Sequence, residues 1–286
     1  MTILANAAGA SSAAIRHHYD VGNDFYALWL DESLTYSCGL WYADDESLEA
    51  AQVNKIDWHL DQAGVVPGSR VLDVGCGWGG LMRRAVQQRR AAAVVGLSLS
   101  EAQVSSIGAR GIPRSEARLE SWREHRAESP FDAIVSIGAF EHFASLEQAR
   151  REKITGYREF FAFCHRCLRP GGRLSLQSIT YEKASRETFS RFFAERIFPE
   201  SDLPHLHEIF EASTGLFEPK VARLDRQHYS RTAECWLSRL RRNRARAIDL
   251  VGAELVADYE KYLGMLCIGF HVASMNLARI AFQRLD

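Results

Sequence analysis

Two short stretches of this chain carry residues whose type and spacing can do chemistry. The first is Val71-Leu72-Asp73-Val74-Gly75-Cys76-Gly77-Trp78-Gly79-Gly80. Its apolar start predicts a short buried strand, and the glycines let the backbone turn sharply and approach a ligand where a helix begins. Asp73 places a carboxylate inside that turn, where it would hold a cationic amino group and repel a pyrophosphate. The second stretch is Gly138-Ala139-Phe140-Glu141-His142, directly after the apolar run Phe131 to Ile137. A carboxylate beside a histidine at the end of a buried strand suits proton transfer at a cleft. A plain surface loop is the alternative reading.

The glycine loop fits two patterns. Gly75, Gly77 and Gly80 match the G-x-G-x-x-G turn of dinucleotide folds, whereas Gly75, Gly77 and Gly79 after Asp73 match the loop of S-adenosylmethionine (SAM) methyltransferases. Both want an acid at the end of the second strand to hold a ribose. Here Ala93 to Gly96 runs into Leu97-Ser98-Leu99-Ser100, with no carboxylate before Glu101. Asp73 tips the balance toward SAM over a dinucleotide, with a tight turn that holds no ligand as the remaining alternative.

The elements that position these residues follow from the pattern around them. Ser47 to Ala63 predicts a helix, with Glu46 and Glu49 near its start and Leu48, Val53, Ile56 and Leu60 on an apolar face. Apolar runs then alternate with helical stretches: Ala93 to Gly96, Ala117 to Glu120, Phe131 to Ile137, and Leu174 to Ile179 after Pro170-Gly171-Gly172. Such alternation predicts an α/β fold with a mostly parallel sheet and ligands at the carboxyl ends of its strands. Trp122 and Arg123, just past the Leu119 strand, fall at that edge, with Trp122 suited to lie along an adenine ring. Before the sheet, Ile15 to Tyr42 mixes Phe25, Tyr26, Trp29, Tyr36 and Trp41 with His17, His18, Asp20 and Asn23. A lid over a sulfonium cofactor is the functional reading, because aromatic faces favour cations and closure excludes water. Plain core is the alternative for Phe25, Leu28 and Trp29.

With 286 residues, 47% hydrophobic and 25% charged, the chain suits one large globular domain. A formal net charge of -1 argues against a nucleic-acid partner. No apolar run is long enough for a transmembrane segment, and Met1 to Ala14 lacks a charged leader, so a flexible start and a cytoplasmic setting are expected. The 6 cysteines are scattered, as in a reducing compartment. Cys164 and Cys167 form C-x-x-C within the predicted helix Tyr157 to Leu168 and have no second ligand pair, so they read as packing residues and not as a metal site.

Together, His18-Tyr19-Asp20, Leu34-Thr35-Tyr36-Ser37-Cys38, the Asp73 to Gly79 loop, Gly96 to Ser100 with Gln103, and Ser136 to Phe143 resemble the cyclopropane-fatty-acid synthase family. Ile197-Phe198-Pro199, His228-Tyr229 and Tyr262-Leu263 extend the likeness over nearly the whole chain, closest in size to the mycolic acid cyclopropane synthases. The resemblance implies a Rossmann-like class I SAM methyltransferase with a seven-stranded sheet. One domain over 15–286 is expected, with a lid over 15–66 and a substrate-covering insertion over 181–215. Between Tyr181 and Arg223 no strand is expected, and Met265 to Ala281 is assigned to the last helices.

The same resemblance implies that Tyr36, Ser37, Asp73, Gly75, Gly77, Trp78, Ser98, Gln103, Trp122 and Arg123 hold SAM. It further implies that an alkene attacks the methyl group, giving a carbocation whose proton goes to a bound bicarbonate. Cys38, Glu141, Tyr229 and the Ile137 backbone would hold that anion, with His142 beside them and Gln177 where the family has a histidine. Departures from the family at His205, His207, Ile268, His271 and Arg279, near Phe270, lead to the expectation of a shorter alkene with an anionic head in place of a long acyl chain. An isoprenoid diphosphate is one such substrate, and Mg²⁺ would be needed only for it; otherwise no metal is expected. A SAM-binding protein without turnover is the alternative in class. The run Arg239, Arg241, Arg242, Arg244 and Arg246 reads as a solvated face, or as a contact for an acidic carrier or a peripheral membrane surface.

Overall fold

The computed structural model describes residues 21–185 and 201–286. The expectations for the first 14 residues, His17 to Asp20 and Ile197 to Pro199, and residues 186–200 of the expected insertion, lie outside the described residues. Among them the chain runs α1 (Asn23–Ala27), α2 (Leu48–Gln62), β1 (Arg70–Val74), α3 (Gly80–Gln87), β2 (Ala93–Ser98), α4 (Glu101–Arg110), β3 (Ser115–Leu119) and β4 (Phe131–Ile137). It continues through α5 (Arg150–Cys167), β5 (Leu168–Tyr181), α6 (Leu206–Ser213), β6 (Phe217–Leu224), α7 (Arg226–Arg242), α8 (Arg244–Val251), α9 (Ala253–His271) and β7 (Met275–Arg284). A single 3-10 turn, Phe140–His142, follows β4.

The strands form one seven-stranded sheet in the order β3-β2-β1-β4-β5-β7-β6. Pairings from β3 through β5 are parallel, and β7 lies antiparallel between β5 and β6. The sheet is thus mostly parallel, as the alternating pattern predicted. Cys164 and Cys167 sit buried on α5 in an apolar cluster with Phe160, Phe161 and Leu174.

Two assignments are corrected. The stretch Met275 to Ala281 is the strand β7 and not a continuation of the last helix, which ends at His271. It is buried on both faces, and its apolar residues are broken only by Asn276 and Arg279 and do not alternate, so periodicity does not distinguish strand from helix here. Likewise β6 lies within the region where no strand was expected; it is an edge strand whose middle is exposed, so it lacks the apolar signature of the others.

The helix α2 forms over the predicted span, with the Ser47 side chain accepting from Ala50 N at 3.1 Å as its N-cap. Its buried stripe is not the predicted one. Val53 is 38% exposed, while Gln52, Lys55 and His59 are buried beside Ile56 and Leu60 against the sheet. Gln52, Lys55 and His59 follow one another at helical spacing on one face, so α2 lays a polar stripe over the carboxyl half of the central strands.

Candidate active site

The loop after β1 closes back on β2: Gly75 N and Cys76 N both donate to Leu97 O at 3.0 Å. Gly75 has φ +82, and a Cβ there would stand 2.6 Å from Ala139 Cβ, so only glycine lets this loop and the loop after β4 approach each other. Gly77 has φ +53, and the helix α3 starts three residues later.

A cavity of about 660 Å³ opens at these strand ends. It is lined by Tyr36, Ser37, Asp73, Gly75, Gly77, Trp78, Ser98, Gln103, Trp122 and Arg123, so all ten residues expected at the cofactor share one cavity. Ile137 and His142 line it too, as does Lys55, which sequence reasoning missed. At its far wall Ser98 Oγ donates to Gln103 Oε1 at 2.8 Å, which turns the Gln103 amide nitrogen away from Ser98. Trp122 is packed by Phe143, Phe160 and Phe163, with the Arg123 guanidinium over its ring at 4.4 Å.

Electrostatically the cavity floor is unusual. Asp73 is 2% exposed and its Oδ2 has no hydrogen-bond partner among the described residues; burial pushes its carboxyl up to about 7, against the pull of Lys55. Burial pushes Lys55 down to about 7 in turn, while its Nζ donates to Ser37 Oγ at 2.8 Å. An orphaned buried carboxylate beside an open cavity is a ready partner for a cationic ligand group.

Tyr36 and Trp78 face the cavity, whereas Phe25, Tyr26 and Trp29 are core behind them, packed on Trp236 and Tyr259. Tyr36 OH donates to Tyr262 OH at 3.1 Å, and Trp78 Nε1 donates to Asn23 Oδ1 at 2.7 Å, so the aromatic segment is latched to α9 and to the glycine loop.

Of the residues expected to serve the reaction, Ile137 and His142 line this cavity, whereas Cys38, Glu141, Gln177 and Tyr229 do not and stand one layer beyond it. Cys38 follows Ser37 in the chain, and Gln177 is in register with Ile137, with Gly138 N donating to Gln177 O at 3.0 Å. Glu141 is 7% exposed; Oε1 accepts from Ile179 N at 2.6 Å and Oε2 has no hydrogen-bond partner among the described residues. Burial pushes its carboxyl up to about 7. The Cys38 thiol is pushed up to about 11 by burial, so it is a neutral donor and no nucleophile. Tyr229, on α7, stacks on Phe270 of α9 at 4.2 Å. His142 is driven down to about 4 by burial and is therefore neutral; its Nδ1 meets Ser201 Oγ at 2.7 Å.

The substrate expectations fare differently. Arg279 is wholly buried (0%) and ion-paired to Asp225, with its other nitrogens on Gln177, Cys38 and Gly39, so it is internal and has no nitrogen left for a substrate head group. The buried partner Asp225 was not legible, because nothing in the sequence marks it as inward-facing. His271 is exposed at the end of α9. His205 and His207 stack on each other at 5.4 Å at the start of α6, beside Tyr181, with His207 exposed. Arg241, Arg242, Arg244 and Arg246 are exposed, while Arg239 is tied to Leu30 O and Glu49.

Gly77→Val should weaken cofactor binding at least about tenfold, because a β-branched residue at φ +53 is strained and its side chain would enter the cavity. Calorimetric titration with SAM measures it; unchanged affinity would remove the glycine loop from the binding site.

The chain matches the family described as mycolic acid cyclopropane synthetase over residues 7–280. It is 34% identical over 291 residues to cyclopropane mycolic acid synthase 1 of Mycobacterium tuberculosis, covering 95% of this chain and 97% of that protein. With cyclopropane mycolic acid synthase MmaA2 of the same organism it shares 36% identity over 268 residues, 87% of this chain and 89% of the relative. The fold is similar to the crystal structure of mycolic acid cyclopropane synthase CmaA1 complexed with SAH and CTAB. The TM-score is 0.87 at 33% identity, over 96% of this chain and 99% of that one.

Proposed function

Since the chain belongs to the mycolic acid cyclopropane synthetase family, we propose that it is a SAM-dependent C-methyltransferase acting on the carbon–carbon double bond of an acyl chain. The observation that carries this reading is the pairing of a cavity floored by the Asp73 carboxylate with the buried, half-unpartnered Glu141 one layer beyond. Asp73 binds the methionine ammonium of SAM, and that charge draws its carboxyl back to the ionised form. Tyr36, Trp78 and Trp122 enclose the sulfonium and the adenine, while Ser98 and Gln103 take the place of the ribose carboxylate. In support, a relative's structure holds SAH, the demethylated form of that cofactor, together with CTAB, a long-chain surfactant.

The reaction needs three services from the protein. The alkene must meet the methyl carbon with water excluded; the cation so formed must be stabilised; and its proton must leave. Tyr229 and Phe270 belong to an apolar cluster with Leu266, Met275 and Leu277 that suits an acyl chain. A small oxyanion, bicarbonate in the family this chain resembles, stabilises the cation and accepts the proton. Cys38 and the Ile137 backbone offer it donors, and the Glu141 carboxylate accepts its O–H and so fixes its basic oxygen. An anionic small alkene loses its main support with Arg279 engaged internally. Incubation with SAM and a panel of cis-unsaturated acyl chains, phospholipid-bound and free, followed by mass spectrometry, tests the reading. SAH formation that depends on the alkene is expected; formation unaffected by any alkene would contradict it.

A further inference from the structure

Gln177 is held in a way that fixes its hydrogen-bonding sense. On β7, Arg279 stands in register with Gln177 of β5, and its Nε donates to Gln177 Oε1 at 2.8 Å. An arginine nitrogen can only donate, so the side-chain atom it meets must be the amide oxygen. That oxygen also meets His59 Nε2 at 3.3 Å, which therefore carries the ring proton, leaving His59 Nδ1 to accept from Ser175 Oγ at 2.7 Å. Burial, reinforced by the charges of Arg279 and Lys55, holds the His59 ring well below its ordinary pKa, so it keeps a single proton in this arrangement. Arg279 is in turn anchored by Asp225 and by the carbonyls of Gly39 at 2.8 Å and Cys38 at 3.2 Å. One polar group of this hydrogen-bond network is left over. The Gln177 amino group makes no hydrogen bond to the described residues, although the side chain is 1% exposed.

We propose that Arg279 and His59 are positioning residues that lock the Gln177 amide so that its amino group is a fixed donor into the reaction pocket, completing the cradle of a small oxyanion. The inference rests on the proposed alkene-methylation reading and deepens it. A donor held in one orientation without an acceptor among the described residues is ready for an anion, and an oxyanion seated beside Cys38 and Glu141 would supply that acceptor. The same logic covers the histidine that the resembled family carries here, since a neutral imidazole accepts with one nitrogen and donates with the other. An amide cannot take up a proton, so the proton of the carbocation goes to the oxyanion and not to residue 177.

Three variants test this. Gln177→Glu keeps an oxygen for Arg279 but replaces the donor with an acceptor; Gln177→His keeps both an acceptor and a donor; Arg279→Lys removes the Nε donor. The probe is ¹³C-labelled bicarbonate, titrated by NMR into the SAH complex, alongside SAM affinity, turnover of a cis-alkene acyl substrate and a thermal melt. Gln177→Glu should weaken bicarbonate binding and lower kcat about tenfold or more, with SAM affinity held within about twofold. Gln177→His, which restores a donor, should recover most of the bicarbonate affinity that Gln177→Glu loses. Arg279→Lys should weaken bicarbonate only when Gln177 is present, because it acts through that amide. Bicarbonate binding by Gln177→Glu equal to the wild type, or equal losses in Gln177→Glu and Gln177→His, would overturn the inference while leaving the reaction intact. A wild type that neither binds bicarbonate nor consumes an alkene would overturn the reading beneath it.

Discussion

Glu141→Gln should lower turnover by about 10²–10⁴-fold while leaving SAM affinity within about twofold. The carboxylate stands apart from the cofactor cavity, its Oε1 tied to Ile179 N and its Oε2 without a hydrogen-bond partner among the described residues. Glutamine keeps the acceptor for Ile179 but presents either a second amide dipole or a donor where the proposed anion needs a full charge. Burial raises the carboxyl to about 7, so below that pH it holds its proton and the ionised form is lost. The rate of the wild type should therefore climb through about pH 7. Asp73 titrates in the same window, also raised to about 7 by burial, so the comparison with Glu141→Gln assigns the limb. SAM binding by the free enzyme should follow Asp73 and persist in the variant, whereas the kcat limb should vanish with it. The stability sign runs the other way: a carboxyl that binds its proton more tightly when folded takes stability away as pH rises from the unfolded value to about 7. An unchanged kcat, or equal losses of kcat and SAM affinity, would take Glu141 out of the mechanism.

Arg279→Leu is the second large effect, and it falls on stability. The guanidinium neutralises Asp225, satisfies the carbonyls of Cys38 and Gly39, and orients Gln177, all without contact with water. Although burial opposes it, Arg279 with Arg223 holds the Asp225 carboxyl below its ordinary range. Removing one partner of such a pair strands the other, at a cost of about 3–5 kcal/mol. Arg223 still reaches Asp225 at 2.8 Å, which places the loss at the lower end. A fall in Tm on the order of 10 °C is expected in differential scanning calorimetry. A full-stability variant with only a raised KM would instead restore Arg279 to the substrate.

How much of this was legible depended on where the signal came from. Glycine turns and apolar runs report backbone geometry directly, so the strands ending at Val74, Ser98 and Ile137, and the loops after them, could be placed from sequence. The cavity residues followed, because ligands gather at such strand ends. The polar seam beneath them was not legible. Lys55 and His59 look like solvent-facing residues of an amphipathic helix, and Arg279 looks like a head-group cation; only the register of β5 with β7 and the packing of α2 bring them together. Their one available signal was the spacing of Gln52, Lys55 and His59 on a single helical face beside Ile56 and Leu60, with Val53 off it. Buried polar groups answer to partners distant in sequence, and a single chain read in order does not reveal such pairings.

The most direct measurement of the central claim uses SAM bearing a trideuterated methyl group and a cis-monounsaturated acyl chain. Attack by the alkene followed by loss of one deuteron to the proposed oxyanion predicts one SAH per product and a cyclopropane that carries CD₂ at the former double bond. Retention of all three deuteriums on the product with loss of a substrate hydrogen would make it a C-methylated alkene by the same carbocation. Label found on oxygen or nitrogen, or SAH formed with no label in the acyl chain, would contradict the account.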